Sequence, residues 1–241
     1  MKNEKYTLIM PMLDLSPKYN DKCPIEFQYN NETGIMNCME VLLRTDMRFI
    51  KAIHFIILKK HEYLYNIIRK IKSDIKFNEE RYDDIDIVIS KVLNPTSSQA
   101  QTVYNEIKSN NITGPIIIKD ADNACDIDLY GKNKGNFVFV YPLEKTPIVD
   151  PQHKSYISVD DQNFVTNIIE KRVVSNLFNC GGYGFDNAED FINGYEALLK
   201  YEDVNNHMYI SHIIYWLMLN KNLKFRPIEA DGYEDFEIKT N

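Results

Sequence analysis

A single α/β domain, with a mostly parallel central sheet, helices on both faces and a β-rich second half, is the fold this sequence predicts. Three observations carry that expectation. Short runs of apolar and β-branched residues, among them AIHFIIL at 52–58, DIDIVIS at 84–90 and PIIIK at 115–119, read as strands buried on both faces. Segments of helical periodicity separate these runs, which calls for right-handed crossovers between parallel strands. The chain, at 241 residues, is also long enough to bury a substantial core without disulfide or metal staples.

Taken in order, the first strand covers 6–12 (YTLIMPM) and runs into the polar, proline-bearing segment LDLSPKYNDKCP. Residues 34–43 (GIMNCMEVLL) place Ile35, Met39 and Leu42 at i, i+4 and i+7, the spacing of one helical face. After the strand at 52–58, HEYLYNIIRKIK sets Leu64, Ile67, Ile68 and Ile71 on one side and predicts a helix. The strand at 84–90 is followed by a helix over 98–108, which leads to the strand at 115–119. Beyond Asp120 strands dominate, over 136–142, 155–159, 164–169 and 173–185. Two late helices, 188–200 and 208–220, precede a closing strand at 223–230. Gly131 and Gly135 mark turns around a solvated basic loop, GKNKG.

Composition narrows the function classes. A formal charge of −7 argues against a nucleic-acid partner, since a phosphate-backbone footprint draws on clustered Lys and Arg. The longest apolar stretch, around Ile53 to Leu58, is far below the roughly 20 residues that cross a bilayer, so no membrane insertion is expected. The N-terminus MKNEKYTLIM lacks a signal-peptide core, and a cytoplasmic location is expected. Cys23, Cys38, Cys125 and Cys180 show no CxxC pair and read as buried or incidental thiols in a reducing compartment.

The sharpest chemical feature is IIIKDADN at 116–123, a buried strand ending in Asp120 and Asp122. Ligands of open α/β sheets sit beyond the carboxyl ends of strands. Two carboxylates in alternation there suit a hard cation such as Mg²⁺, or Mn²⁺, shared with substrate phosphates, although a capped, solvated turn has the same letters. His54, inside an apolar strand, reads as a core histidine with a hydrogen-bonded ring. His207 and His212 lie five apart and miss the i, i+4 spacing of a zinc pair on a helix. The polar run His153, Lys154, Ser155, Tyr156 reads first as loop and second as pocket lining.

Several of these segments, in order, resemble the sugar-phosphate nucleotidyltransferases, particularly the branch associated with bacterial surface-polysaccharide genes. MPMLDLSPKY and KCPIEF stand where that family has a Gly-rich loop ending in Arg and then Lys-Pro. PTSSQAQTVYNEI at 95–107 is similar to its base-contacting turn and helix, and KDADN to its strand-end acid before Asn. Glu170-Lys171 matches its sugar-contacting pair and GGYGF at 181–185 the strand after it, while Asp235-Phe236 stands in the place of a terminal Asp-Trp. The resemblance implies a Rossmann-like nucleotidyltransferase domain over 1–241, divided into a nucleotide-binding half (1–123) and an acceptor-binding half (124–241). It further implies Lys18, Lys22 and Asp122 as catalytic, and Leu13, Asp14, Ser98 and Asp120 as nucleotide-binding. Glu170, Lys171 and Gly182 would contact the acceptor, and Asp122 and Asp235 would hold Mg²⁺.

The chain departs from the family at the first loop. Asp14, Ser16 and Pro17 replace glycines whose amides would approach a triphosphate, and Pro17 has no N–H to offer. A carboxylate about 4 Å from a phosphate charge costs on the order of 4 kcal/mol at an effective dielectric near 20, which flanking lysines offset only if Asp14 turns away. Three readings therefore stand side by side. The chain is a divergent nucleotidyltransferase acting on a sugar phosphate or other small phosphorylated metabolite. Alternatively it is a glycosyltransferase of the A-type fold, whose Asp-x-Asp meets a nucleoside diphosphate-sugar, or a non-catalytic relative that binds nucleotide or sugar phosphate.

Overall fold

The computed structural model describes residues 5–13, 44–62, 85–131, 135–146, 150–201 and 208–235. The apolar runs form β1 (Tyr6–Met12), β2 (Ile50–Leu58), β3 (Asp86–Val92) and β4 (Ile116–Lys119). Next come β5 (Asn123–Asp126), β6 (Asn136–Pro142), β7 (Ser155–Val159), β8 (Val165–Glu170) and β9 (Leu177–Phe185), with β10 (Phe225–Glu229) and β11 (Gly232–Asp235) closing the order. The described α-helices are α1 (Gln99–Ser109), α2 (Ala188–Leu198) and α3 (Ile210–Lys221).

A mixed sheet runs in the order β10-β6-β9-β4-β1-β2-β3, with β7 and β8 attached beside β9. The pairs β3–β2, β2–β1, β1–β4 and β10–β6 are parallel, and β9 runs antiparallel between β4 and β6. One reversed strand thus splices the second half of the chain into the first half's sheet. A separate ribbon pairs β5 with β11.

Side chains alternate across each strand, so the interior divides into two apolar layers. Leu8, Met10, Phe55, Ile57, Phe137 and Phe139 belong to one. Ile9, Ile56, Ile116, Ile118, Val138 and Val140 belong to the other, where Val103 of α1, Phe191 of α2 and Ile213 of α3 pack on them. Burying each such side chain contributes about 1.5–3 kcal/mol. All three described helices lie in this second layer; the helices expected over 34–43 and 61–72 fall outside the described residues, apart from a 3-10 turn at Lys59–His61.

Local signals explain the helix ends. Ser98 caps α1 by accepting from the Gln101 amide at 3.1 Å, and Asn187 caps α2 through the Glu189 amide. Asn222, in the left-handed conformation at φ 53°, ends α3. His54 is a core histidine as expected, its Nδ1 2.6 Å from Glu106 Oε1 within the buried β2–α1 contact. Two expectations change. β9 begins at Leu177 rather than 173, because Val173 and Val174 are exposed and have no strand to pair with. β5 and β11, where no strand was expected, are strands because they find each other.

Candidate functional site

β1 lies between β2 and β4, and the chain reaches β4 only after building β2 and β3 on the other side. The crevice at the carboxyl ends of β1 and β4 is therefore the topological switch point, where an α/β sheet receives its ligand. Leu13 closes the end of β1 and is buried. Beyond β4 the turn 120–123 is wrapped around a buried lysine. Lys119 Nζ donates to the Asp120 carbonyl at 3.1 Å, the Asn123 carbonyl at 3.0 Å and Asn123 Oδ1 at 2.7 Å, so its three N–H groups are matched by three acceptors.

That turn presents its two acids differently. Asp120 is held by its own amide on the Gly181 carbonyl at 2.8 Å and by a side-chain hydrogen bond from Gln99, the first residue of α1. Burial, followed by the nearby Asp122 charge, pushes its carboxyl up to about 6. Asp122 is half-buried and accepts from Asn123 Nδ2 at 3.1 Å. The triplet thus turns one carboxylate toward α1 and β9 instead of aiming both at one cation.

The β5–β11 register sets Asp235 opposite Asn123, next in the chain to Asp122. The two acids also share a neighbour: the Tyr233 hydroxyl is raised by burial and then by the charges of Asp235 and Asp122. Lys154, just before β7, enters the same place. Its Nζ lies 2.6 Å from Asp235 Oδ2 and 2.7 Å from the Tyr233 hydroxyl, and the Tyr233 hydroxyl is itself 3.2 Å from Asp235 Oδ2. The lysine and aspartate side chains are 15% and 5% exposed, so the pair is largely withdrawn from water.

Asp122 and Asp235 supply the hard oxygen donors Mg²⁺ prefers, but Lys154 already offsets one of their two negative charges. Asp235 already carries an ammonium. A Mg²⁺ about 4 Å from Lys154 would be repelled by about 8 kcal/mol at an effective dielectric near 20, which cancels the attraction of one carboxylate at that distance. Among the described residues no group of three or more His, Cys, Asp or Glu side chains could hold a metal ion.

The end of the β7–β8 hairpin brings in the acceptor pair of the sequence reading. Ser155 stands opposite Glu170, and Glu170 Oε1 accepts from Ser155 Oγ at 2.6 Å and from Ser211 Oγ at 2.5 Å. Lys171, left-handed at φ 56°, donates its amide to the Lys154 carbonyl at 2.8 Å and its Nζ to the Tyr209 hydroxyl at 2.9 Å. Tyr183 links this corner to the first: its buried hydroxyl is pushed well up by burial and then by the Asp120 and Glu170 charges.

Asp120, Asp122, Asp235, Glu170 and Lys171 thus collect around β4, β9 and the β5–β11 ribbon. Ser98 is spent on capping α1, whose first turn touches Asp120 through Gln99. Gly182 lies within β9, and its smallness answers to packing, since a Cβ there would stand 2.0 Å from the Phe139 ring. Asp14, Lys18 and Lys22 lie outside the described residues. Reading the sequence missed Gln99 and Lys119, although a lysine ending an all-isoleucine strand was a visible signal. Lys154 and Ser155, read first as loop, belong to the site because the hairpin pairs them with Glu170 and Lys171.

Comparison with solved structures establishes the fold. The chain resembles the nucleoside-diphosphate-sugar pyrophosphorylase from Vibrio cholerae RC9, with a TM-score of 0.75 and 15% identity over 96% of each chain. It likewise resembles the inositol-1-phosphate CTP transferase from T. maritima, with a TM-score of 0.71 and 10% identity over 100% of this chain and 94% of that one. A UDP-glucose pyrophosphorylase complexed with UDP-glucose matches at 0.63 and 13% identity, covering 97% and 94%. No protein-family model and no curated protein matches the sequence. Among the described residues no helix is long and apolar enough to cross a membrane. The architecture is the nucleotidyltransferase fold that the motifs imply.

Proposed function

We propose that the chain is a divergent nucleotidyltransferase that moves a nucleoside monophosphate from a nucleoside triphosphate to a sugar phosphate or another small phosphorylated metabolite. The observation that carries this reading is the β5–β11 pairing, which brings Asp235 beside the Asp120–Asn123 turn at the switch point, within one cluster that includes Glu170. An acceptor phosphate oxygen bonds to the α-phosphorus while the bond to the bridging oxygen breaks, its electron pair leaving with pyrophosphate. Such transfer needs in-line positioning and charge neutralisation more than covalent help. Lys171 and the Ser155–Glu170–Ser211 group serve the acceptor, Asp122 and Asp235 orient the cations of the phosphate site, and the first turn of α1 serves the base. Lys18 and Lys22 are the further cations assigned to the triphosphate. A role in surface-polysaccharide assembly follows from the resemblance alone.

The test is calorimetry with ATP, CTP, GTP, UTP and dTTP, each in Mg²⁺ buffer and in EDTA, followed by pyrophosphate release with a panel of sugar phosphates. One triphosphate is expected to bind and to yield pyrophosphate only with an acceptor present. Absence of heat with every triphosphate in both buffers defeats the proposal. Preferential binding of a nucleoside diphosphate-sugar would transfer support to the glycosyltransferase reading. The seating of Asp120 on Gln99 already weighs against that reading, because it withdraws one of the two acids.

A further inference from the structure

We infer that Lys154 is the resident cation of this site, holding the place beside Asp235 that a divalent metal would otherwise take and meeting the ligand's phosphate itself. The inference rests on reading the crevice as a nucleotide site, and it concerns how that site balances charge. Three features of Lys154 support it. Its ammonium lies 2.6 Å from Asp235 Oδ2 and 2.7 Å from the Tyr233 hydroxyl, and 5.4 Å from the centre of the Tyr233 ring. Those two hydrogen bonds use two of its three N–H donors, and the third is left for a ligand oxygen. Its side chain is 15% exposed, so the ammonium is fixed in a place largely withdrawn from water.

The lysine is also held in place at its root. Its carbonyl accepts from the Lys171 amide at 2.8 Å, and Ser155, the next residue, is locked opposite Glu170 by strand pairing and by a 2.6 Å hydrogen bond. A flexible surface lysine would lose rotamer freedom on meeting a phosphate; this one has lost it on folding. Placing the ammonium and a metal together at Asp235 sets like charges side by side, so the two compete for that carboxylate.

The test compares wild type with Lys154→Gln, which removes the charge but keeps an N–H donor for Asp235, and with Lys154→Arg, which keeps the charge. Thermal melts verify folding, and Lys154→Met serves as the second neutral variant. Mn²⁺ alone is titrated into nucleotide-free protein and followed by its paramagnetic resonance. Wild type and Lys154→Arg are expected to bind Mn²⁺ at least about tenfold more weakly than Lys154→Gln, and adding Asp235→Asn should abolish the gain. Each triphosphate and UDP-glucose is then titrated in EDTA and in Mg²⁺. Wild-type affinity is expected to change less than about threefold between buffers, while Lys154→Gln becomes dependent on Mg²⁺. Equal Mn²⁺ affinity in wild type and Lys154→Gln overturns the inference. So does a wild type that loses nucleotide tenfold or more in EDTA. If no nucleotide binds wild type in either buffer, the reading of the crevice falls, and the phosphate half of the inference with it. The Mn²⁺ comparison still decides whether Lys154 keeps metal from Asp235.

Discussion

Replacing Gly181 with alanine tests the seating of the whole turn. Gly181 sits in β9 at φ +76°, where an L-residue costs about 1–2 kcal/mol. Its added Cβ would stand 2.5 Å from Asn123 Nδ2 and 2.7 Å from Asp120 Oδ2. Neither group can yield without loss, because Asn123 Oδ1 receives the Lys119 ammonium at 2.7 Å and Asp120 receives Gln99. Weakening a charged hydrogen bond of this kind adds about 1.5–2 kcal/mol, for a total near 3 kcal/mol. In a chain of this length each kcal/mol moves the midpoint by about 2–4 °C, so Tm should fall by about 6–12 °C. Gly135 provides the control, with φ +75° and nothing within 4 Å of its added Cβ. Gly135→Ala should show the conformational part alone, about 1–2 kcal/mol. Differential scanning calorimetry of both variants, with nucleotide titration of each, checks this. If Gly181→Ala melts no lower than Gly135→Ala, the argument that Gly181 supports the turn is refuted.

Two further outcomes follow from buried acids. The Asp120 carboxyl titrates at about 6 in the folded chain and near 4 unfolded, so the native state holds its proton over a wider range. Stability contributed by the protonated form is complete below pH 4 and is lost as pH climbs to 6, by at most about 3 kcal/mol. Urea unfolding from pH 4 to 8 should therefore show Asp120→Asn gaining on wild type across that window and staying level above it; parallel curves would contradict the assignment. Glu106 Oε1 accepts from His54 at 2.6 Å, Ser90 at 2.7 Å and Asn110 at 2.9 Å in a site 5% exposed. Glu106→Ala strands those donors and should cost about 3–5 kcal/mol, while Glu106→Gln keeps an acceptor and should cost about 1 kcal/mol, both read from denaturant midpoints.

The order of elements was largely legible from the letters because it depends on local pattern. Ile53, Phe55 and Ile57 against Ile56 and Leu58 are buried on opposite faces of β2, and the unbroken apolar run announced it. The expected helix starts at 98 and 188 lie within one residue of those observed, where Ser98 and Asn187 serve as caps. The strand-end position of Asp120 and Asp122 was likewise visible, since a buried strand of isoleucines ends in a charged turn wherever the chain leaves the sheet.

What escaped the letters depends on contacts between distant segments. β5 and β11 carry no strand signature, yet their pairing is what brings Asp235 to Asn123. Lys154 looked like any polar residue before a strand until the hairpin paired its neighbour with Glu170 and placed its ammonium on Asp235. Residue types and periodicity determined the sheet, its helices and the acids at its edge, because those rest on each segment's own pattern of burial. The pairing of Asp235 with Asp122 came from the resemblance and not from any local pattern, and which cation neutralises them was decided only by the tertiary structure, because electrostatic energy depends on distance through space and not along the chain.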